Sequence, residues 1–200
     1  MIAIIDYGAG NLRSVQNTLD EIGAKYEVLQ SADRLDKAAK VILPGVGHFG
    51  QMMRALDERS LRQPIIERIN AGIPFLGICL GLQGLFTNSE EAEEVRGLNI
   101  YSGTVKRFAQ DARVPHMGWN ELERGGECRL LAGLPERPYV YFAHSYYIPA
   151  SDLTAAACTY GATYTAILEK DNVFGVQFHP EKSGPVGLTI VKNFLELPSD

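Results

Sequence analysis

Apolar and polar residues follow two different rhythms along this chain, and the change between them divides it into halves. Ile2 to Tyr7 is a short apolar run, the pattern of a strand buried on both faces. Gly8-Ala9-Gly10 breaks it, Asn11 is suited to cap a helix, and Leu12, Val15, Leu19 and Ile22 follow at helical spacing until Gly23. Tyr26 to Leu29 and Val41 to Leu43 read as the next strands, the latter closed by Pro44-Gly45. Residues 49–71 carry a helical pattern with a break before Pro64. Ile73 to Cys79 predicts a fourth strand, and a helix begins near Leu80. This alternation predicts a parallel sheet with helices on both faces. In the second half, Thr104–Phe108, Tyr139–Ile148, Ala155–Tyr160, Thr163–Glu169 and Val173–Phe178 all read as strands. Gly161-Ala162 and Lys170-Asp171-Asn172 are tight-turn signals between neighbours, so antiparallel hairpins extend the sheet. Gly187 to Leu197 predicts a closing helix. With no repeat, low-complexity tract or linker, the expectation is one mixed α/β domain over residues 1–200.

Composition narrows the class. The 200 residues are 46% hydrophobic and 22% charged, ordinary for a globular protein, with a net charge of -5. That balance opposes nucleic-acid binding. No apolar run approaches the roughly 20 residues of a membrane span. The start, Met1-Ile2-Ala3-Ile4-Ile5-Asp6, lacks the basic segment and cleavage site of a signal peptide. Three scattered cysteines give no disulfide framework and fit a cytoplasmic, reducing location. The four histidines form no pairing with metal-ligand spacing, so no metal site is expected.

Two segments carry chemistry. Phe75-Leu76-Gly77-Ile78-Cys79-Leu80-Gly81 sets a cysteine between glycines at a strand-to-helix junction, the cysteine form of a nucleophile elbow. The sharp turn lifts the sulfur off the sheet end, and the helix start favours thiolate. Cys128 and Cys158 lack this setting and read as structural. Gly175-Val176-Gln177-Phe178-His179-Pro180-Glu181 places His179 and Glu181 two apart. In extended backbone such side chains share a face, roughly 6 to 7 Å apart at their roots. Glu181 can then fix one imidazole nitrogen and leave the other for a nucleophile. His48, His116 and His144 compete as bases, none with a carboxylate two residues away, and His144 is the strongest rival. Gly45 and Gly47, in Pro44-Gly45-Val46-Gly47, are candidates for turning amides toward an oxyanion. Gly8-Ala9-Gly10 hints at dinucleotide binding, but Arg13 stands where the third glycine belongs. Glu90, Glu91, Glu93 and Glu94 read as a solvated acidic face.

Together the elbow and the H-P-E segment resemble the class I (triad) glutamine amidotransferases. Asp6-Tyr7-Gly8-Ala9-Gly10-Asn11, Leu43 to Gly50, Pro115-His116-Met117-Gly118-Trp119-Asn120, His144-Ser145-Tyr146-Tyr147 and Phe178 to Ser183 narrow this to the glutaminase-subunit family of imidazole glycerol phosphate synthases. The resemblance runs from residue 4 to near 195. It implies a flavodoxin-like fold and hydrolysis of glutamine through Cys79, His179 and Glu181 by way of a glutamyl thioester. Leu80 and the backbone near Gly47 would supply oxyanion donors, and Gln83, Ser145 and Tyr146 would hold glutamine. No metal or organic cofactor is implied. Ammonia would pass to a (βα)8-barrel cyclase, the partner in a heterodimer, for synthesis of imidazole glycerol phosphate and an aminoimidazole carboxamide ribotide in histidine biosynthesis. Asn11, Trp119, Tyr141 and Lys182 would face that partner. Two positions depart from the family pattern. Leu82 replaces a methionine. Gly84 replaces a larger apolar residue inside the elbow helix, where glycine costs roughly 1 kcal/mol relative to alanine. The glutaminase subunit of pyridoxal phosphate synthase is a rival opposed by P-H-M-G-W-N and H-S-Y-Y. A free-standing cysteine hydrolase and an inactive scaffold are further alternatives, the last opposed by the intact triad.

Overall fold

The computed structural model describes residues 1–8, 11–109 and 113–198. Ala9 and Gly10 of the glycine-rich segment therefore lie outside the described residues. The first half runs β1 (Ile2–Ile5), α1 (Leu12–Ile22), β2 (Tyr26–Leu29), β3 (Lys40–Gly45), α2 (Phe49–Glu58), α3 (Arg62–Asn70), β4 (Phe75–Cys79) and α4 (Leu80–Gln83). The second half runs β5 (Phe86–Ser89), β6 (Tyr101–Arg107), β7 (His116–Glu121), β8 (Glu123–Arg124), β9 (Tyr139–His144), β10 (Tyr146–Tyr147), β11 (Thr154–Tyr160), β12 (Ala162–Lys170), β13 (Val173–Val176) and α5 (Gly184–Glu196).

Eight strands form the central sheet in the order β2-β1-β3-β4-β13-β12-β11-β8. The first five are parallel, and the last three join antiparallel. Strand alternation sends neighbouring residues into different cores. Ile5, Leu43 and Phe75 pack with α2 and α3 on one face, while Ile4, Ile42 and Leu76 pack with α1 and α5 on the other. The helices together thus cover both sides of a sheet whose parallel strands are almost wholly apolar.

The predicted helical stretch 49–71 is two helices. The break falls at Arg59–Leu61, where Ser60 takes φ 54°, and Pro64 sits in the first turn of α3, where its missing N–H is not needed. Two expectations for the second half need correction. Tyr139–Ile148 is not one strand, and neither it nor Thr104–Phe108 extends the central sheet. The chain breaks at Ser145: β9 pairs with β7 in a two-stranded sheet, and β10 pairs with β6 beside β5. The break is held by His144 Nδ1 donating to the Tyr146 carbonyl at 2.8 Å and by Phe108 N donating to the Ser145 carbonyl at 3.2 Å. These bonds bring the main chain from one small sheet to the other. The hairpins β11–β12 and β12–β13 do extend the central sheet, through Gly161 at φ 66° and Asp171 at φ 53°.

Candidate active site

Gly45, Cys79 and Gln177 come side by side at the carboxyl ends of three adjacent parallel strands, since Gly45 pairs with Cys79 and Val176 with Ile78. This is where open α/β sheets bind ligands. Cys79 takes φ 53° and ψ -105°, a conformation of order 1–3 kcal/mol unfavourable for a side-chain-bearing residue. Its neighbours make the turn possible. A Cβ on Gly81 would stand 2.0 Å from the Leu43 carbonyl oxygen, and one on Gly77 would stand 2.6 Å from the Gly81 backbone. Only glycine fits at either position, so the two residues flanking the elbow let β3, β4 and α4 converge.

The elbow helix is shorter than its pattern implied. It ends at Gln83, and Gly84 caps it in helical conformation rather than lying inside it. The methyl of Met52 lies 2.8 Å from where a Gly84 Cβ would be, so a flexible neighbour fills the space.

His179 follows β13 in extended backbone, but Glu181 does not continue that extension. Pro180–Lys182 form a tight 3-10 turn, and this turn, not strand geometry, brings the carboxylate round. His179 Nδ1 and Glu181 Oε1 are 2.8 Å apart, and both side chains are buried. Two bonds tie the turn to β9, His179 N to the Tyr141 carbonyl (2.9 Å) and Tyr141 N to Ser183 Oγ (3.0 Å), and a third within the turn, Ser183 Oγ to the His179 carbonyl (2.7 Å), closes the ring. With Nδ1 committed, Nε2 is the nitrogen left for the sulfur. Burial, the largest single influence on His179, lowers its pKa. Cys79 and Glu181 outweigh burial and raise it to about 10.

Asn11 stands at the cap position of α1, but its side chain makes no capping bond. Its Oδ1 accepts from Ser14 Oγ at 2.7 Å, which turns Nδ2 toward Glu181 Oε1 at 3.1 Å. One carboxylate oxygen thus receives both His179 and Asn11.

Cys79 and His179 open into a cavity of about 190 Å³, walled also by Val46, Gly47, Leu80, Gln83, Ser145 and Tyr146. Gly45 does not line it; its Cα faces Leu80 and Gly81 from behind the elbow. Gly47, at φ 96°, gives the loop over the cavity a backbone conformation that other residues rarely adopt.

The description "glutamine amidotransferase class-I" matches residues 3–197 of this chain. Imidazole glycerol phosphate synthase subunit HisH of Desulfitobacterium hafniense (strain Y51) is 48% identical over 196 residues, 97% of this chain and 93% of that one. The protein of the same name from Methanothermobacter thermautotrophicus is 48% identical over 198 residues, 98% of each. This chain belongs to the HisH family of class I glutamine amidotransferases. A crystal structure of glutamine amidotransferase shares its fold, with a TM-score of 0.78 over 98% of both chains at 18% identity.

In this HisH-family chain the rival bases are committed elsewhere. His48 accepts the Gly50 amide at 3.1 Å at the start of α2. His116 bonds the Tyr164 hydroxyl at 3.1 Å, and burial pushes its pKa down to about 4. His144 lines the cavity, but burial holds its pKa down at about 3, against the opposing pull of the Tyr146 carbonyl. The other cysteines are poor nucleophiles. Burial, aided by Glu169, pushes the Cys128 thiol up to about 12, and burial takes Cys158 to about 11.

The acidic run is not a uniform solvated face. Glu90 binds Lys106 at 2.7 Å, Glu94 binds Arg54 at 2.8 Å, and Glu91 accepts the Phe49 amide at 2.7 Å while lining the cavity. Glu91 is not legible from the sequence: it follows the short polar strand β5 inside a charge run, with no local signal of its own. Of the expected partner-facing residues, Trp119 is 56% exposed and meets the Tyr141 ring edge-on at 6.0 Å. Lys182 Nζ lies 5.9 Å from the centre of the same ring. Asn11 is half-buried and joined to Glu181 instead. Among the described residues, no helix is long and apolar enough to cross a membrane.

Proposed function

We propose that this chain, folded as one domain, hydrolyses L-glutamine to L-glutamate and ammonia, and delivers the ammonia to a (βα)8-barrel cyclase subunit in histidine biosynthesis. The observation that carries this reading is the shared cavity: a cysteine on a strained elbow opens into the same space as a buried histidine bonded to a carboxylate. Cys79 sulfur attacks the side-chain amide carbon of glutamine, and the carbonyl oxygen becomes an oxyanion. Leu80, Val46 and Gly47 line the cavity, and backbone N–H groups of Leu80 and of the Val46–Gly47 loop are the donors assigned to receive it. His179 holds the proton that leaves with ammonia, and a γ-glutamyl thioester remains. Water then gives its proton to His179, and its oxygen attacks the thioester carbon. The C–S bond breaks, glutamate departs, and the sulfur is restored. Glu181 fixes the imidazole, and Asn11 fixes Glu181.

Glu91 offers a carboxylate to the α-ammonium of glutamine. Gln83 donates its Nε2 to the Tyr146 carbonyl at 2.9 Å, so its oxygen is the end free for the ligand. Support for the partner comes from the relatives' name, which makes them subunits, and from a face suited to docking. Along β7 and β9, His116, Val140, Phe142 and His144 point inward, while Met117, Trp119, Tyr139 and Tyr141 point outward. Met117 is 66% exposed yet also lines the cavity, so this apolar face adjoins the site where ammonia is released.

Glutaminase turnover of the complex with the cyclase subunit tests the reading. Cys79→Ala abolishes it, whereas Cys128→Ala and Cys158→Ala keep most of it. A glutamine-analogue alkylating label that attached mainly to Cys128 or Cys158 would overturn the assignment. Full turnover by the isolated, monodisperse chain would favour a free-standing hydrolase.

A further inference from the structure

Gln177 lies one residue beyond β13, level with Cys79 on the neighbouring parallel strand, and is fully buried. Its amide orientation follows from its surroundings. The Tyr146 carbonyl can only accept, so the end of Gln83 that meets it at 2.9 Å is the amide nitrogen. The second hydrogen of that nitrogen goes to Gln177 Oε1 at 3.1 Å. With its oxygen so assigned, Gln177 presents Nε2 to Cys79 Sγ at 3.6 Å. A directional relay therefore runs from one main-chain carbonyl, through two amides, to the sulfur. His144 Nδ1 donates to the same carbonyl at 2.8 Å and anchors its far end.

We propose that Gln177 is a positioning residue for the hydrolysis, aiming an N–H at the Cys79 sulfur so that its reactive anionic form is held in place; this rests on the reading of Cys79 as the nucleophile. A hydrogen bond from a neutral amide to sulfur is stronger when the sulfur is charged. The amide has no titratable proton, so it cannot exchange one as His179 does. It supports the sulfur on a second side and leaves His179 free to change its protonation. The bond weakens when the sulfur is acylated and strengthens again as the thioester breaks. Gln177 thereby favours release of the acyl group as well as attack. The same amide fixes Gln83, so the nucleophile and a wall of the glutamine cavity are placed by one side chain.

The test is alkylation of the full chain by iodoacetamide across a pH series, with the modified cysteine identified by peptide mass spectrometry. Gln177→Met keeps the length and removes the N–H. Gln177→Glu keeps the shape and an oxygen for Gln83 but offers no N–H to the sulfur at neutral pH. The midpoint of Cys79 alkylation is expected to rise by about one pH unit in Gln177→Met, a roughly tenfold slower reaction below the midpoint, and further in Gln177→Glu. A purely structural role would leave the midpoint in place. An unmoved midpoint in Gln177→Met, with circular dichroism reporting a folded chain, overturns the proposal; should Gln177→Met fail to fold, Gln177→Leu, which also lacks the N–H and adds no charge, decides in its place. Alkylation of the unaltered chain at Cys128 or Cys158 in place of Cys79 would instead remove the nucleophile reading beneath it.

Discussion

His179 and His144 line one cavity and are both buried, yet they hold their protons in opposite ways. His144 belongs to an aromatic cluster in which Phe108, Phe142 and Tyr164 surround it and a neutral hydroxyl bonds its ring. Burial there expels charge, and His116 beside it behaves alike. His179 meets the same burial, but Glu181 and Cys79 reverse its sign. Placing a histidine in a core therefore does not by itself let it hold a proton; the neighbours that face the ring decide.

The largest effect that separates these environments is loss of the base. His179→Ala should lower glutaminase turnover in the complex by about 100- to 10,000-fold. Glu181→Gln should cost less, because Asn11 and the turn still hold the segment while the imidazole loses only its partner. Steady-state kinetics of both variants decides, and a greater loss in Glu181→Gln would mean that the carboxylate does more than orient.

An intermediate effect concerns pH and stability. His116 and His144 have folded pKa values of about 4 and about 3, below the unfolded value of 6.5. Their neutral forms are accommodated above 6.5, and stability falls as pH drops from 6.5 toward those values, because the unfolded chain binds protons that the folded chain refuses. Each contributes up to about 1.4 kcal/mol per pH unit. His179 has the opposite sign: its contribution is complete below 6.5 and is lost as pH rises through about 10. Urea unfolding between pH 6.5 and 5 should therefore move steadily to lower denaturant. An unmoved midpoint over that range would break the contrast.

The smallest effect lies behind the elbow. Gly84→Ala should change the thermal midpoint by no more than about 2–4 °C, since the gain in helix propensity is offset by moving the Met52 methyl. A larger fall, read by differential scanning calorimetry, would mean that the packing there is as strict as at Gly81.

What was legible in the sequence was local. In the first half each apolar pattern marks a strand or helix, with the 49–71 pattern divided into two helices, and Cys79 announces itself by its flanking glycines. The H-P-E segment was legible as a pair, although a 3-10 turn brings it together. β7 was missed because its rhythm is inverted: His116 points inward while Met117 and Trp119 point out, so polarity along the strand runs against burial. β5 and β8 are short and polar, and they exist through their pairing. Asn11 looked like a cap because caps are decided within three residues. Its bond to Glu181 spans 170 positions, and no local pattern encodes that. Glu91 was hidden in a charge run for the same reason.

Ser183 closes a ring of three bonds around Tyr141 and His179. In mechanical terms, the outer strand β9 and the backbone that carries the base form one linkage. A displacement of β9 is passed to the backbone from which the imidazole projects. The exposed aromatic face and the proton-transfer machinery therefore share one set of coordinates, and a load applied to the first becomes an alignment error, or a correction, in the second.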